Sequence, residues 1–153
     1  MAASAGAHKS GSASRPASSL SDSERFDMDV DQKVAALDER INAINSRIGA
    51  QTYANNPEGD IGGIRSRTAR QKDRYRSSVD SATRDSNALV RQRQDLVGMK
   101  ASYARAVKMR DAGNAVLAQG TLKGKPLTKA ERREIEAIRD QNQRAIDRLR
   151  GKV

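Results

Sequence analysis

The sequence predicts an all-α fold, in which a long central helix packs against two shorter antiparallel helices in a coiled-coil-like hairpin. Three observations indicate this fold. A heptad stripe of apolar residues runs through residues 30–48. Two Ser/Thr-x-x-Glu capping boxes mark helix starts. No proline interrupts residues 64–112, whose length nearly equals that of the two other patterned segments together.

The first 20 residues are rich in Ala, Ser and Gly, and they predict a disordered N-terminal tail. Ser21 and Glu24 have the spacing of a capping box, with Ser21 as the N-cap. Acidic residues crowd the turns that follow, where the helix dipole favours negative charge. We therefore expect the first helix over residues 22–49, with Gly49 as its stop.

The first helix carries an apolar seam whose members are separated by alternating steps of four and three residues. These residues are Val30, Val34, Leu37, Ile41, Ile44 and Ile48. So narrow a stripe predicts a partner helix, which belongs either to the same chain or to another one. If the helix pairs with itself, charge favours a parallel pair, because Lys33 then meets Asp38 of the other copy.

Residues 50–63 predict a loop, and residues 64–112 predict a second helix that is strongly basic in its first part. Tyr75 and Tyr103 lie on its apolar seam and are expected in the core. Its basic side chains predict contacts with the phosphates of a nucleic acid, or else a solvated face or a face turned toward the acidic first helix. They are Arg65, Arg67, Arg70, Lys72, Arg74, Arg76, Arg84, Arg91 and Arg93.

Residues 113–127 are rich in glycine and predict a linker. Thr128 and Glu131 form the second capping box, so the C-terminal segment 128–153 predicts a helix over about 129–150. Its predicted contact face consists of Ile135, Ile138, Ala145 and Leu149. The helix lengths place the first helix on the first half of the second helix, and the third helix on its second half.

The chain has few apolar residues for its size. Leu, Ile, Val and Phe together make up 25 of 153 residues, and the net charge is +10. This composition borders on that of disordered proteins, so an independently stable globule is not expected. We expect the chain to complete its interior in a homo-oligomer or a larger protein assembly.

Enzymatic activity is not expected. Cysteine is absent, the one histidine, His8, lies in the tail, and no cofactor, metal or phosphate-loop motif has the required spacing. The leading prediction is a structural or assembly protein that acts through coiled-coil-like contacts, and a virion component of a phage is one such setting. The alternative is a basic protein that binds nucleic acid without reading its sequence.

Attachment to a membrane is not favoured, because the basic helix lacks an apolar face rich in Leu, Phe or Trp. The N-terminal residues also lack the apolar stretch of a secretory signal peptide. We expect the protein in the cytoplasm or within a virion or other large assembly.

Overall fold

A computed structural model of the chain describes residues 19–55 and 69–153, with side chains described for 19–50 and 69–153. Helix α1 spans Asp22–Asn55, α2 spans Ala69–Gln119 and α3 spans Lys129–Lys152. A two-stranded hairpin, β1 (Thr121–Leu122) and β2 (Lys125–Pro126), joins α2 to α3. The predicted all-α fold with a long central helix is confirmed, whereas the predicted tail lies almost wholly outside the described residues.

Both predicted capping boxes are present. At the start of α1, the Ser21 amide donates to Glu24 Oε2 at 2.7 Å and the Glu24 amide donates to Ser21 Oγ at 3.2 Å. At the start of α3, Thr128 and Glu131 make the same reciprocal pair at 3.0 and 3.2 Å. These bonds satisfy amides that have no partner within the helix, so the helix starts follow from local sequence.

Two helix ends differ from the prediction. Helix α1 continues past Gly49 to Asn55, and α2 continues through Gly113 to Gln119. A glycine within a helix costs about 1 kcal/mol, which weakens the helix without ending it. Helix α2 ends where Gly120 adopts a φ of 69°, the left-handed conformation that closes helices. The predicted linker is therefore half helix and half a tight hairpin.

Both shorter helices run antiparallel to α2. Asp31 and Asp38 of α1 reach Lys100 and Arg93 of α2 respectively, so α1 lies along the middle of α2. Helix α3 lies along the C-terminal half of α2, where Gly113 permits close approach, since a Cβ there would lie 3.4 Å from Arg139 Cβ. The predicted end-to-end placement is thus wrong in one respect, because the start of α1 and the end of α3 overlap beside the same stretch of α2.

This overlap holds the core. We call it the three-helix end: α1 residues 22–34, α2 residues 97–110 and α3 residues 143–153. Within it, Val30 and Ile146 are fully buried, and Phe26 stacks on Tyr103 with ring centroids 3.9 Å apart and planes 2° apart. Ala106 completes the buried cluster. Three helices cover these side chains from all directions, which two helices cannot do.

Beyond this end, within the described residues, α1 residues 37–50 pack on α2 residues 81–94, and we call this the two-helix arm. Leu37, Ala82 and Leu89 are buried between the two helices. Ile41 and Ile44 are only half-buried. The arm therefore has a seam but no filled interior.

The contact face of α3 is rotated from the predicted one. Ile138 is 41% exposed, whereas Ile146, which the predicted face omits, is fully buried. Ile135, Ala145 and Leu149 are half-buried, as the prediction places them. The rotation follows from the overlap, because at its C-terminal end α3 contacts α1 as well as α2.

The two isoleucines give a test of where the core lies. Ile146→Ala is expected to lower the free energy of unfolding by about 2–5 kcal/mol, because it leaves a cavity among three helices. Ile138→Ala, the matched control in the same helix, is expected to cost less than about 1 kcal/mol. Urea unfolding of both variants checks this, and equal losses would contradict the described core.

Candidate helix-docking groove and basic face

The predicted seam faces α2 of the same chain. Val30, Val34 and Leu37 are buried. Ile41, Ile44 and Ile48 are half-buried, so the burial of the seam decreases within the two-helix arm, after Leu37. The seam was expected to pack on a helix of the same chain or of another chain. In the structure, α2 of the same chain is the partner helix, and it buries the first three seam residues more fully than the last three.

Three polar contacts join α1 to α2 at intervals of one heptad, and we call them the register ladder. Lys100 Nζ donates to Asp31 Oδ1. Arg93 Nε donates to Asp38 Oδ1 at 2.7 Å, and Ser86 Oγ donates to Asn45 Oδ1 at 3.2 Å. Each step is seven residues forward in α1 and seven backward in α2, so the ladder fixes the register of the antiparallel pair.

A second polar cluster closes the three-helix end. The Asp22 carboxylate lies 3.6 Å from an Arg110 nitrogen on α2 and 3.5 Å from an Arg150 nitrogen on α3. Arg150 Nε also donates to the Tyr103 hydroxyl at 2.9 Å, and Arg110 donates to Gln143 Oε1 at 3.1 Å. One carboxylate at the start of α1 thereby ties together all three helices.

An open groove follows directly on the C-terminal end of α3, and we call it the side groove. It has a volume of about 470 Å³. Its floor is apolar and comes from both helices of the hairpin: Ala36 and Leu37 of α1, and Leu96 and Met99 of α2. The rest of its lining is polar or charged: Lys33, Arg40, Gln92, Asp95 and Lys152. The groove thus runs along α1 and α2 in line with α3.

The basic residues of α2 do not form one surface. Arg93 belongs to the register ladder, and Lys72 is half-buried. Arg70, Arg74, Arg76, Arg84 and Arg91 are exposed. Arg65 and Arg67 lie outside the described residues. Sequence reasoning therefore grouped side chains that the fold separates.

Some of these residues do line up. Arg70, Arg84, Arg91 and Arg105 are separated by multiples of seven, so they share one line on α2 on the side away from α1. All four are exposed, and we call them the arginine line. At about 1.5 Å per residue, the line is about 52 Å long. Exposed Asp73 and Asp80 lie beside it, so its positive charge is partly offset.

Sequence reasoning missed two features of these surfaces. Phe26 falls outside the heptad seam, yet it is buried against Tyr103 because α3 covers that side of α1. The side groove also escaped notice, because it depends on where α3 ends. A signal existed for Phe26, since the only phenylalanine of a chain so poor in apolar residues is expected to be buried.

Comparison of the chain with protein-family models, with curated proteins and with solved structures finds no match. Within the described residues, no helix carries an apolar stretch long enough to cross a membrane. Across the same residues, no three His, Cys, Asp or Glu side chains are grouped as metal ligands.

The register ladder makes a specific prediction about Arg93. Arg93→Asp is expected to destabilise the chain by about 1 kcal/mol, because it places a second carboxylate against Asp38. The exchange Asp38→Arg with Arg93→Asp is expected to recover most of this loss, since both groups remain 41–43% exposed and can pair in either order. Urea unfolding measures the change.

Arg105→Asp serves as the control, because Arg105 is exposed on the same helix and faces away from α1. Arg105→Asp is expected to change the free energy of unfolding by less than about 0.5 kcal/mol. If Arg93→Asp and Arg105→Asp had equal effects, or if the exchange recovered nothing, the ladder would have no role in register.

Proposed function

We propose that the chain is a non-enzymatic helical assembly protein whose two-helix arm is completed by a helix from another protein. The observation that carries this proposal is the change in burial along one seam. Val30 is fully buried where three helices meet, and Ile41, Ile44 and Ile48 are half-buried where two of the described helices meet. A further helix on the arm would cover what α3 covers elsewhere.

Two further features support the proposal. The side groove is already bounded by helices on two sides, so an incoming helix meets a preformed surface and the ordering cost is small. The chain also has few apolar residues in total, and most of the large buried ones lie at the three-helix end. Such a chain gains stability from any partner that binds its folded form.

The isolated chain provides the test. We expect circular dichroism to show two melting steps or one broad step, with the two-helix arm losing helicity before the three-helix end. Sedimentation equilibrium run alongside reports the mass. A compact monomer that melts in one sharp cooperative transition, with all of its helix lost together, would contradict an assembly role for the arm.

The arginine line favours a second function, which is binding of nucleic acid through its phosphates. Four exposed arginines on the side of α2 away from α1 can approach a phosphate backbone without disturbing the core. Contacts of this kind release counterions and carry no sequence information. This function is compatible with the first, because the arginine line and the lining of the side groove share no residue.

Salt dependence tests the second function. Binding to duplex DNA of mixed sequence is expected to weaken by a factor of about 10 or more between 50 and 200 mM salt. Arg84→Glu with Arg91→Glu is expected to reduce the slope of log affinity against log salt by about 2, because two phosphate contacts are lost. No retention on DNA at about 50 mM salt would rule out this function.

A further inference from the structure

The cations that line the side groove have no carboxylate partner within the described part of the chain. Lys33 and Arg40 come from α1, one heptad apart, and Lys152 comes from the end of α3. The carboxylates of that part which form ion pairs do so with arginines elsewhere and with Lys100. Asp95 is the single acidic residue of the lining. The groove therefore presents an apolar floor beside an excess of positive charge.

Helix α3 packs on the side of the hairpin that carries the side groove, and this shows that a helix fits there. Over the three-helix end this side holds α3, which packs Ile146 against Phe26 and Tyr103. Past Lys152 the helices α1 and α2 continue antiparallel in the same register, as the register ladder shows. The floor of Leu37, Leu96 and Met99 thus continues the surface that already binds a helix.

A second copy of this chain fits the groove poorly. If two hairpins packed groove to groove with their ends reversed, each α1 would lie beside the other α1, and Lys33 and Arg40 would face cations of the second copy. Like charges placed together across an interface are unfavourable. If the hairpins packed with the same ends together, the two α3 helices would occupy the same layer and collide. The net charge of +10 also opposes self-association.

We propose that the side groove is the docking site for an acidic amphipathic helix of a partner protein. This inference rests on the proposed assembly function and adds the chemistry of the partner. The helix carries apolar residues at heptad spacing toward Leu37, Leu96 and Met99. Its acidic residues lie one heptad apart on the flank that faces Lys33 and Arg40, and a further carboxylate near its end meets Lys152. The groove lining on α1 runs from Lys33 to Arg40, which is about 10 Å along the helix axis, or about two turns of a docked helix.

The test uses the full chain and two synthetic helical peptides of three heptads, both with Leu at positions a and d. One peptide has Glu at positions e and g, and the other has Lys there. Fluorescence anisotropy is expected to show that the glutamate peptide binds at least about tenfold more tightly than the lysine peptide. Lys33→Glu with Arg40→Glu is expected to weaken binding of the glutamate peptide at least about tenfold, because two attractive contacts become repulsive.

Arg84→Glu with Arg91→Glu is the matched control. It makes the same change of charge, at the same spacing, on the arginine line instead of the groove, and it is expected to weaken binding less than about threefold. Circular dichroism confirms that both double variants keep their helicity. An equal effect of the two double variants would overturn the proposal, since binding would then follow net charge and not the groove.

The remaining outcomes are also decisive. The lysine peptide could bind as tightly as the glutamate peptide and raise the melting temperature of the arm. That result would support the assembly function and would contradict the proposal that the partner helix is acidic. If the chain formed a dimer that Lys33→Glu with Arg40→Glu abolished, the occupant would be a second copy. If that double variant lost duplex DNA binding more than the control did, the cations would serve nucleic acid. No binding of the glutamate peptide at about 1 mM would overturn the proposal outright.

Discussion

The stability of this chain depends on a small core in which three helices meet around Val30, Tyr103 and Ile146. The chain has few apolar side chains, and most of the large ones that are buried within its described part lie there. Burial of apolar area is the main favourable term in folding, so helices that extend past this core gain less for each residue they order. The incomplete arm is the direct consequence.

The register of α1 against α2 is set by different contacts from those that stabilise the core. The charged side chains of the register ladder are 29–63% exposed, and ion pairs in contact with water contribute little free energy. A slip of α1 by one heptad would nevertheless leave at least one of Asp31, Asp38 and Asn45 without its partner, and it would set an apolar residue of α2 against a polar one. The ladder therefore discriminates against wrong registers, as polar residues at a positions do in coiled coils.

Much of the fold could be predicted from the sequence, because its signals are local. The heptad seam and the capping boxes at Ser21 and Thr128 indicated three helices, and both boxes are confirmed. The helix ends predicted at Gly49 and Gly113 are wrong, since a glycine ends a helix where the backbone turns left-handed, as it does at Gly120. The core positions of Phe26 and Ile146 depend on the overlap of α1 with α3, and no local pattern encodes that overlap.

The candidate sites divide in the same way. The seam on α1 was predicted by its spacing, whereas the side groove is lined by residues of all three helices that the fold brings together. The basic character of α2 was evident, but only the fold shows that Arg93 is used in the ladder and that Arg105 joins the arginine line. Charge composition thus indicated a basic helix, and only the fold separates its residues into distinct surfaces.

The central claim is that the interior is complete at one end of the hairpin and incomplete along the arm. Amide hydrogen exchange of the isolated chain, measured residue by residue, tests this most directly. Amides of α2 residues 103–110 are expected to exchange only through global unfolding, and those of residues 82–93 at least about tenfold faster through local opening. Equal protection along the whole of α2 in a monomeric chain would contradict the account.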